Sequence, residues 1–369
     1  MALWELDEFQ GPEFLGFVRA IPEPNEFLGS RWLPNVTIND LSFEYVLGTT
    51  RRPVMATILG WDSEAPLHGR RPLGERVQGE LPPIKRKVRF GEKELIRFLT
   101  PRAGTSDQQD AINSVYNLTA EVIEAVFARI EWLRMQALTE DKITYSEDGV
   151  IFEFDYGLND EYQIDLVTQT DGASTDISSS VSTAWTDTAN ANPIADLGYA
   201  CDKVQDETGV RPVEFVCSRK TVGLLLNNAA IRTLIRGSSA PTAVLTLQEL
   251  NTALDLYQLP PISTYDVTVQ TENADGTLSD VRTMAQNKAF LVPGGGPVLP
   301  EHSSIGGTLW GPTAESRELI GTPLSTQAPG LYAKTYGKED PPEEYVKAAA
   351  VSFPSLPNAD KLVQMKLYA

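Results

Sequence analysis

Histidine and cysteine are nearly missing from this sequence, two of each in 369 residues. His68 and His302 have no His, Cys or carboxylate at metal spacing on a shared element, so both read as surface residues. Cys201 and Cys217 are too far apart for a CxxC pair and read as buried core thiols of a chain made in a reducing compartment. No GxxxxGK[ST] loop, GxGxxG turn or GxSxG elbow occurs. The run Pro293-Gly294-Gly295-Gly296-Pro297 is bracketed by prolines and reads as a turn, not a phosphate cradle. Asn273–Asp280 lacks the spacing and closing Glu of a calcium loop. No cofactor, metal or catalytic set is expected, and no enzyme. No apolar window approaches ~18 residues, so no membrane span is expected. The first residues are acidic, without the basic and apolar regions of a secretory signal. Basic residues are also scarce, 31 Lys+Arg against 50 Asp+Glu, a net charge of −19. That excludes a simple nucleic-acid binder, which needs a basic face.

What is present is a globular chain, 41% hydrophobic, long enough for two or three domains. The charge is unevenly spread. Residues 51–102 hold twelve basic and six acidic residues, net +6, leaving −25 elsewhere. Val54–Leu59 and Lys85–Phe90 lean towards strand around a Gly- and Pro-rich middle, which predicts a long exposed basic hairpin. A basic flap on an acidic body suits binding to another copy of the same chain. Residues 1–50 scatter apolar pairs among prolines without clear periodicity, as an extended arm lying on another surface would.

Residues 106–138 carry the strongest helix pattern. Ser106 and Gln109 resemble a capping box, and Ile112, Val115, Thr119, Val122, Val126, Ile130, Leu133 and Ala137 form one stripe. Such a helix is ~48 Å long, suited to bracing an extended molecule. Strands at 142–145 and 150–156 then close on Asp148-Gly149, and 168–193 reads as a polar surface loop. From 194 the pattern is mixed. Helices are predicted over 194–208, 220–236 and 246–257, and a buried strand over 212–217. A strand over 265–271 has its partner running into 289–292. Strands at 345–353 and 361–367 close the chain.

This order resembles the major capsid proteins of tailed double-stranded-DNA bacteriophages, an α+β class with the Hong Kong 97-like (Johnson) fold. It looks most like the lambda-type major capsid protein E family. Gly60–Val88 resembles the family's extension loop, Ala137–Gly157 its helix-to-hairpin element and Trp185–Pro193 the entry to its axial domain. Val213–Leu226 resembles that domain's strand–turn–helix, and Lys347–Leu367 the closing strands. The resemblance implies an N-terminal arm (1–50), an extension loop (51–104) and a peripheral domain with its spine helix (105–192). It further implies an axial domain (193–330) and a return to the peripheral domain (331–369).

The implied function is a shell subunit forming hexamers and pentamers of an icosahedral head. Its expected partners are further copies, a separate scaffolding protein, a portal and a decoration protein. Packaged DNA is enclosed but not specifically bound, and no membrane is involved. The place is the virion, after synthesis in the bacterial host cytoplasm. Expected inter-subunit contacts are Phe14, Phe17, Phe27 and Trp32 of the arm, with Arg70, Arg71, Arg76, Lys85, Arg86 and Lys87 of the flap. Some members cross-link through a flap lysine; lambda-type members generally do not, and no cross-link is expected here. Two other readings stay open: another virion structural protein, such as a tail or decoration component, and a hydrolase whose site is made of carboxylates alone.

Overall fold

The computed structural model describes residues 12–47, 76–90, 106–147, 150–173, 175–237, 244–273, 276–296, 301–319, 330–338 and 343–369. In chain order these form α1 (Pro12–Ala20), α2 (Gly29–Trp32), β1 (Asn35–Thr37), β2 (Ser42–Val46), β3 (Arg76–Glu80) and β4 (Pro83–Phe90). There follow α3 (Ser106–Thr139), β5 (Lys142–Glu147), β6 (Val150–Asp155), β7 (Gln163–Asp165), α4 (Pro193–Thr208) and β8 (Pro212–Cys217). Then come α5 (Arg219–Asn227), α6 (Ala229–Arg236), α7 (Leu247–Leu256), β9 (Ile262–Thr264), β10 (Thr268–Glu272) and β11 (Leu278–Arg282). The last are β12 (Lys288–Pro293), β13 (Gly307–Gly311), β14 (Tyr332–Lys338), β15 (Glu343–Ser355) and β16 (Val363–Lys366).

The chain divides into two units. The first takes residues from 1–43, 79–134 and 307–355; the second takes 44–78, 135–306 and 356–369. The long helix contributes to the first as far as Arg134.

In the first unit the 13-residue β15 is the central strand. It pairs antiparallel with β4 on one flank, Val346 opposite Val88. On the other flank it pairs with β14 and then β13, and β1 joins β13 in parallel. Alternate residues of the sheet turn inward. Ala333, Val346, Ala348 and Ala350 share a core with Val122, Val126 and Ile130 of α3, and with Phe14 and Val18 of α1. The expected helical stripe is buried from Val115 through Ala137. The N-terminal segment differs from the aperiodic arm expected of it. Pro12 opens a helix, where its fixed φ suits the first turn, and Phe14, Leu15 and Val18 fall on one buried face. Each such burial contributes ~1.5–3 kcal/mol, more than the intervening prolines oppose.

The second unit is built on the sheet β7-β16-β12-β8-β9. Its central strand β12 lies antiparallel to β8 and to β16, Phe290 opposite both Val216 and Gln364. α4 begins with Asn192 as N-cap and Pro193 in the first turn, and ends on Gly209 at φ 76°. Its first turn buries Asp196, whose carboxylate accepts from Ser182 N (2.6 Å), Ser182 Oγ (2.6 Å) and Trp185 Nε1 (2.8 Å). Those bonds fold the polar segment after residue 168 onto α4. Two expectations are corrected here. The single helix over 220–236 is two, because Asn228 ends α5 and caps α6 with its side chain on Ile231 N. The strand near 265–271 has β11 as partner, Val269 opposite Val281; residues 289–292 belong to β12, a strand buried within the larger sheet.

Candidate inter-subunit surface

β4 carries much of the basic flap. Pro83, Lys85, Lys87 and Arg89 point outward, and Ile84, Arg86, Val88 and Phe90 are half-buried. This is the alternation expected of a strand with one wet face. Its hydrogen-bonded partner is β15, more than 250 positions later. Val54–Leu59, the expected second arm of a hairpin, lies outside the described residues.

The outward cations meet acids of their own unit. Lys85 Nζ lies 2.8 Å from Glu315 Oε1, and Lys347 reaches the same oxygen. Arg89 Nη1 lies 2.8 Å from Glu343 Oε1. Lys87 Nζ sits 4.6 Å above the Tyr345 ring, which stacks on Tyr336 at 5.2 Å. Burial pushes the Glu315 carboxyl up, but the two lysines outweigh it and bring its pKa down to about 2. Glu343 is lowered too, chiefly by the Tyr345 hydroxyl, with Arg89 adding to the effect. Arg76 pairs with Glu44 in the second unit. Arg70 and Arg71 lie outside the described residues. Part of the flap's positive charge is thus matched within the subunit, which the linear sequence does not reveal.

The arm residues are placed as follows. Phe14 and Trp32 are buried in the first unit, their apolar area already out of water in the isolated chain. Phe17 and Phe27 are half-buried against the same core. Phe17 meets Tyr116 of α3 edge-on at 4.6 Å.

What fastens the N-terminal segment is a buried arginine that sequence reasoning missed. Arg134 of α3 is 1% exposed. Its Nε donates to Thr308 Oγ1 of β13 at 2.9 Å. Nη1 donates to Glu23 Oε2 (3.1 Å) and Glu131 Oε2 (3.3 Å). Nη2 donates to Glu23 Oε1 (3.1 Å) and Asn35 Oδ1 (2.5 Å). All five guanidinium N–H groups are engaged. Glu131 also accepts from Gly29 N at 2.9 Å, and Trp310 Nε1 donates to Asn35 Oδ1 at 2.9 Å. Burial pushes the Glu23 carboxyl up, but its bonds to Arg134, Asn35 and Ser30 leave it below the ordinary value. The sequence did hold a signal: Glu131 and Arg134 interrupt a helix stretch that is otherwise mostly apolar.

Among the described residues no group of three or more His, Cys, Asp or Glu could hold a metal ion, and no helix is long and apolar enough to cross a membrane.

The family model for phage major capsid protein E matches residues 13–367. Among solved structures the chain is similar to a protein assigned as the capsid protein of a prophage in E. coli CFT073. The two share 16% identity over 96% of this chain and 98% of that one, with a TM-score of 0.58. It is also similar to a phage-related protein from Bordetella bronchiseptica RB50, at 14% identity over 96% of each chain and a TM-score of 0.53. No curated protein matches it. The fold is of the Hong Kong 97-like capsid type. Since one family accounts for the sequence from residue 13 to residue 367, and the fold agrees with it, the chain belongs to the phage major capsid protein E family and is a capsid shell protein.

Proposed function

We propose that this chain assembles into hexamers and pentamers that close an icosahedral head around double-stranded DNA. A separate scaffold would guide closure, a portal would occupy one vertex and a decoration protein would bind outside. The subunit is made in the bacterial host cytoplasm and ends in the virion. The observation that carries this reading is the whole-length family match joined to the division of charge. Outside residues 51–78 the second unit holds 26 acidic and 11 basic residues, net −15, whereas residues 51–102 are net +6. Opposite potentials on one chain steer copies together and fix their orientation. Arg70, Arg71, Arg76, Lys85, Arg86 and Lys87 supply the positive side. The half-buried Phe17 and Phe27, beside the buried Phe14 and Trp32, shape the apolar margin. An acidic shell wall holds DNA without gripping its phosphates.

The test is light scattering of the purified chain, alone and with its scaffold. Assembly into large particles that weakens at high salt is expected. A monomer under both conditions contradicts the proposal.

A further inference from the structure

Exposure climbs along the antiparallel ribbon of β5 and β6. At its base Ile143 is fully buried opposite Phe154, and Tyr156 just beyond is buried too. Further out, Tyr145 and Phe152 lie opposite each other, both half-buried. At the outer end Val150 is 55% exposed and Ile151 84%. Neighbouring residues of a strand point to opposite faces, so these two cannot shield each other. Ile151 falls on the face that is otherwise polar, opposite Ser146 and in line with Lys142, Thr144, Glu153 and Asp155. The outer end of the ribbon is therefore apolar on both faces, a wedge and not a flat patch. A two-stranded ribbon is marginal in water by itself, and among the described residues neither strand has a second partner strand. The exposed Ile151 breaks the alternation that the rest of the ribbon keeps. Local rules are broken in this way where a surface is completed from outside.

We infer that the outer end of the β5–β6 ribbon docks into a second copy of this chain, against that copy's basic segment 51–102. The inference rests on the shell reading and names one contact that would build the shell. The tip is exposed in the isolated chain, so its occupant comes from outside it. Charge complementarity selects that occupant. Residues 142–155 carry Glu147, Asp148, Glu153 and Asp155 against Lys142, net −3. Lys142 and Asp155 pair with each other at the base, 3.5 Å apart, so the excess belongs to positions nearer the turn. Residues 51–102 are net +6, and they also supply aliphatic side chains, Val54, Met55, Ile58 and Leu59, to receive the wedge. Opposite charge sets the approach and orientation of two such surfaces. The desolvated apolar pair then supplies the anchor, since a few central residues carry most of the energy of an interface.

The experiment compares particle yield, by light scattering, for the full chain and for Val150→Thr/Ile151→Thr under the conditions in which the wild type assembles. Threonine keeps the β-branched shape that suits a strand and removes apolar area. Both positions are exposed, so the thermal midpoint should hold. Particle yield should fall about tenfold. Val150→Ile/Ile151→Val, which keeps the tip apolar, should assemble as the wild type does. Ile151→Thr alone gives the same comparison if the pair misfolds. An unchanged yield overturns the inference. So does a lowered midpoint, which would make the tip structural. Photo-cross-linking from p-benzoylphenylalanine in place of Ile151, in particles co-assembled with wild-type chains, reads the occupant. A product of twice the chain mass, joined to a peptide from 51–102, is expected. A product at the mass of one chain, a product joined to the scaffold or to another part of the second copy, or no product overturns the inference. A wild type that never self-associates sinks the shell reading itself, whereas a wild type and variant that assemble alike sink only this inference.

Discussion

Arg134 grips Glu23 with both arms of its guanidinium, Nη1 to Oε2 and Nη2 to Oε1, each at 3.1 Å. The fork ties a residue between the first two short helices to the long helix. Because Arg134 also holds Glu131 and Thr308, one side chain secures the N-terminal segment, the long helix and β13 together. Arg134→Ala leaves the fully buried Glu131 carboxylate without its cation, and should cost ~3–5 kcal/mol. Arg134→Lys keeps the charge but loses the fork, and should fall between. Denaturant unfolding of the three proteins checks the order. Equal midpoints for wild type and Arg134→Ala would mean the cluster is not holding the segment.

Gly29 shows how close that packing is. A Cβ there would lie 2.3 Å from Glu131 Oε2. Gly29→Ala should therefore destabilise by ~1–3 kcal/mol, through overpacking and displacement of the carboxylate. A thermal melt reads it directly, and a stabilised Gly29→Ala chain would contradict the geometry.

Glu315 gives the first unit a defined response to acid. Its pKa is about 2 in the folded chain against an ordinary 4.5, burial being outweighed by Lys347 and Lys85. A carboxyl depressed by folding stabilises above its unfolded pKa, and that contribution is lost as pH falls through the folded value. The loss belongs between about pH 4.5 and about pH 2. Lys347→Gln removes one of the two cations. The Glu315 titration should then move up, and acid unfolding by circular dichroism should begin at higher pH. An acid transition that does not move would dissociate Glu315 from it.

Asp196 runs in the opposite sense. Burial raises its pKa, while hydrogen bonds from Ser182 and Trp185 oppose the shift. Trp185→Phe deletes the Nε1 donor and leaves the carboxylate poorer by one bond. The pKa should climb further, and stability at neutral pH should fall by ~1–3 kcal/mol. Because a raised folded pKa favours the protonated form, the deficit should shrink as pH falls. Unfolding curves at neutral pH and near pH 4 compare the two states; a deficit that grows in acid would refute the assignment.

The long helix was legible because its signal is local. A three-and-four spacing of apolar residues with no Gly or Pro placed it at 106–138, and it spans Ser106–Thr139. β8 was equally plain, an apolar run ended by Ser218, the N-cap of α5. The N-terminal helix was hidden because nine residues show too little periodicity among four prolines. The partner of β10 was misplaced because a strand carries no label for its neighbour; the turn after Glu272 returns the chain at once to β11. The candidate surface was half legible for the same reason. The basic residues of β4 stood out in composition. Their pairing with Glu315 and Glu343 exists only once distant strands are side by side. Arg134 could be suspected from a charged pair inside an apolar helix, but Glu23, Asn35 and Thr308 could not be assigned to it.

The central claim is that this chain builds a closed shell. Negative-stain electron microscopy of the chain expressed with its scaffold tests it most directly. Closed icosahedral particles with capsomers of five and six subunits are the predicted result; dispersed monomers or open, irregular aggregates from soluble, folded protein would contradict it.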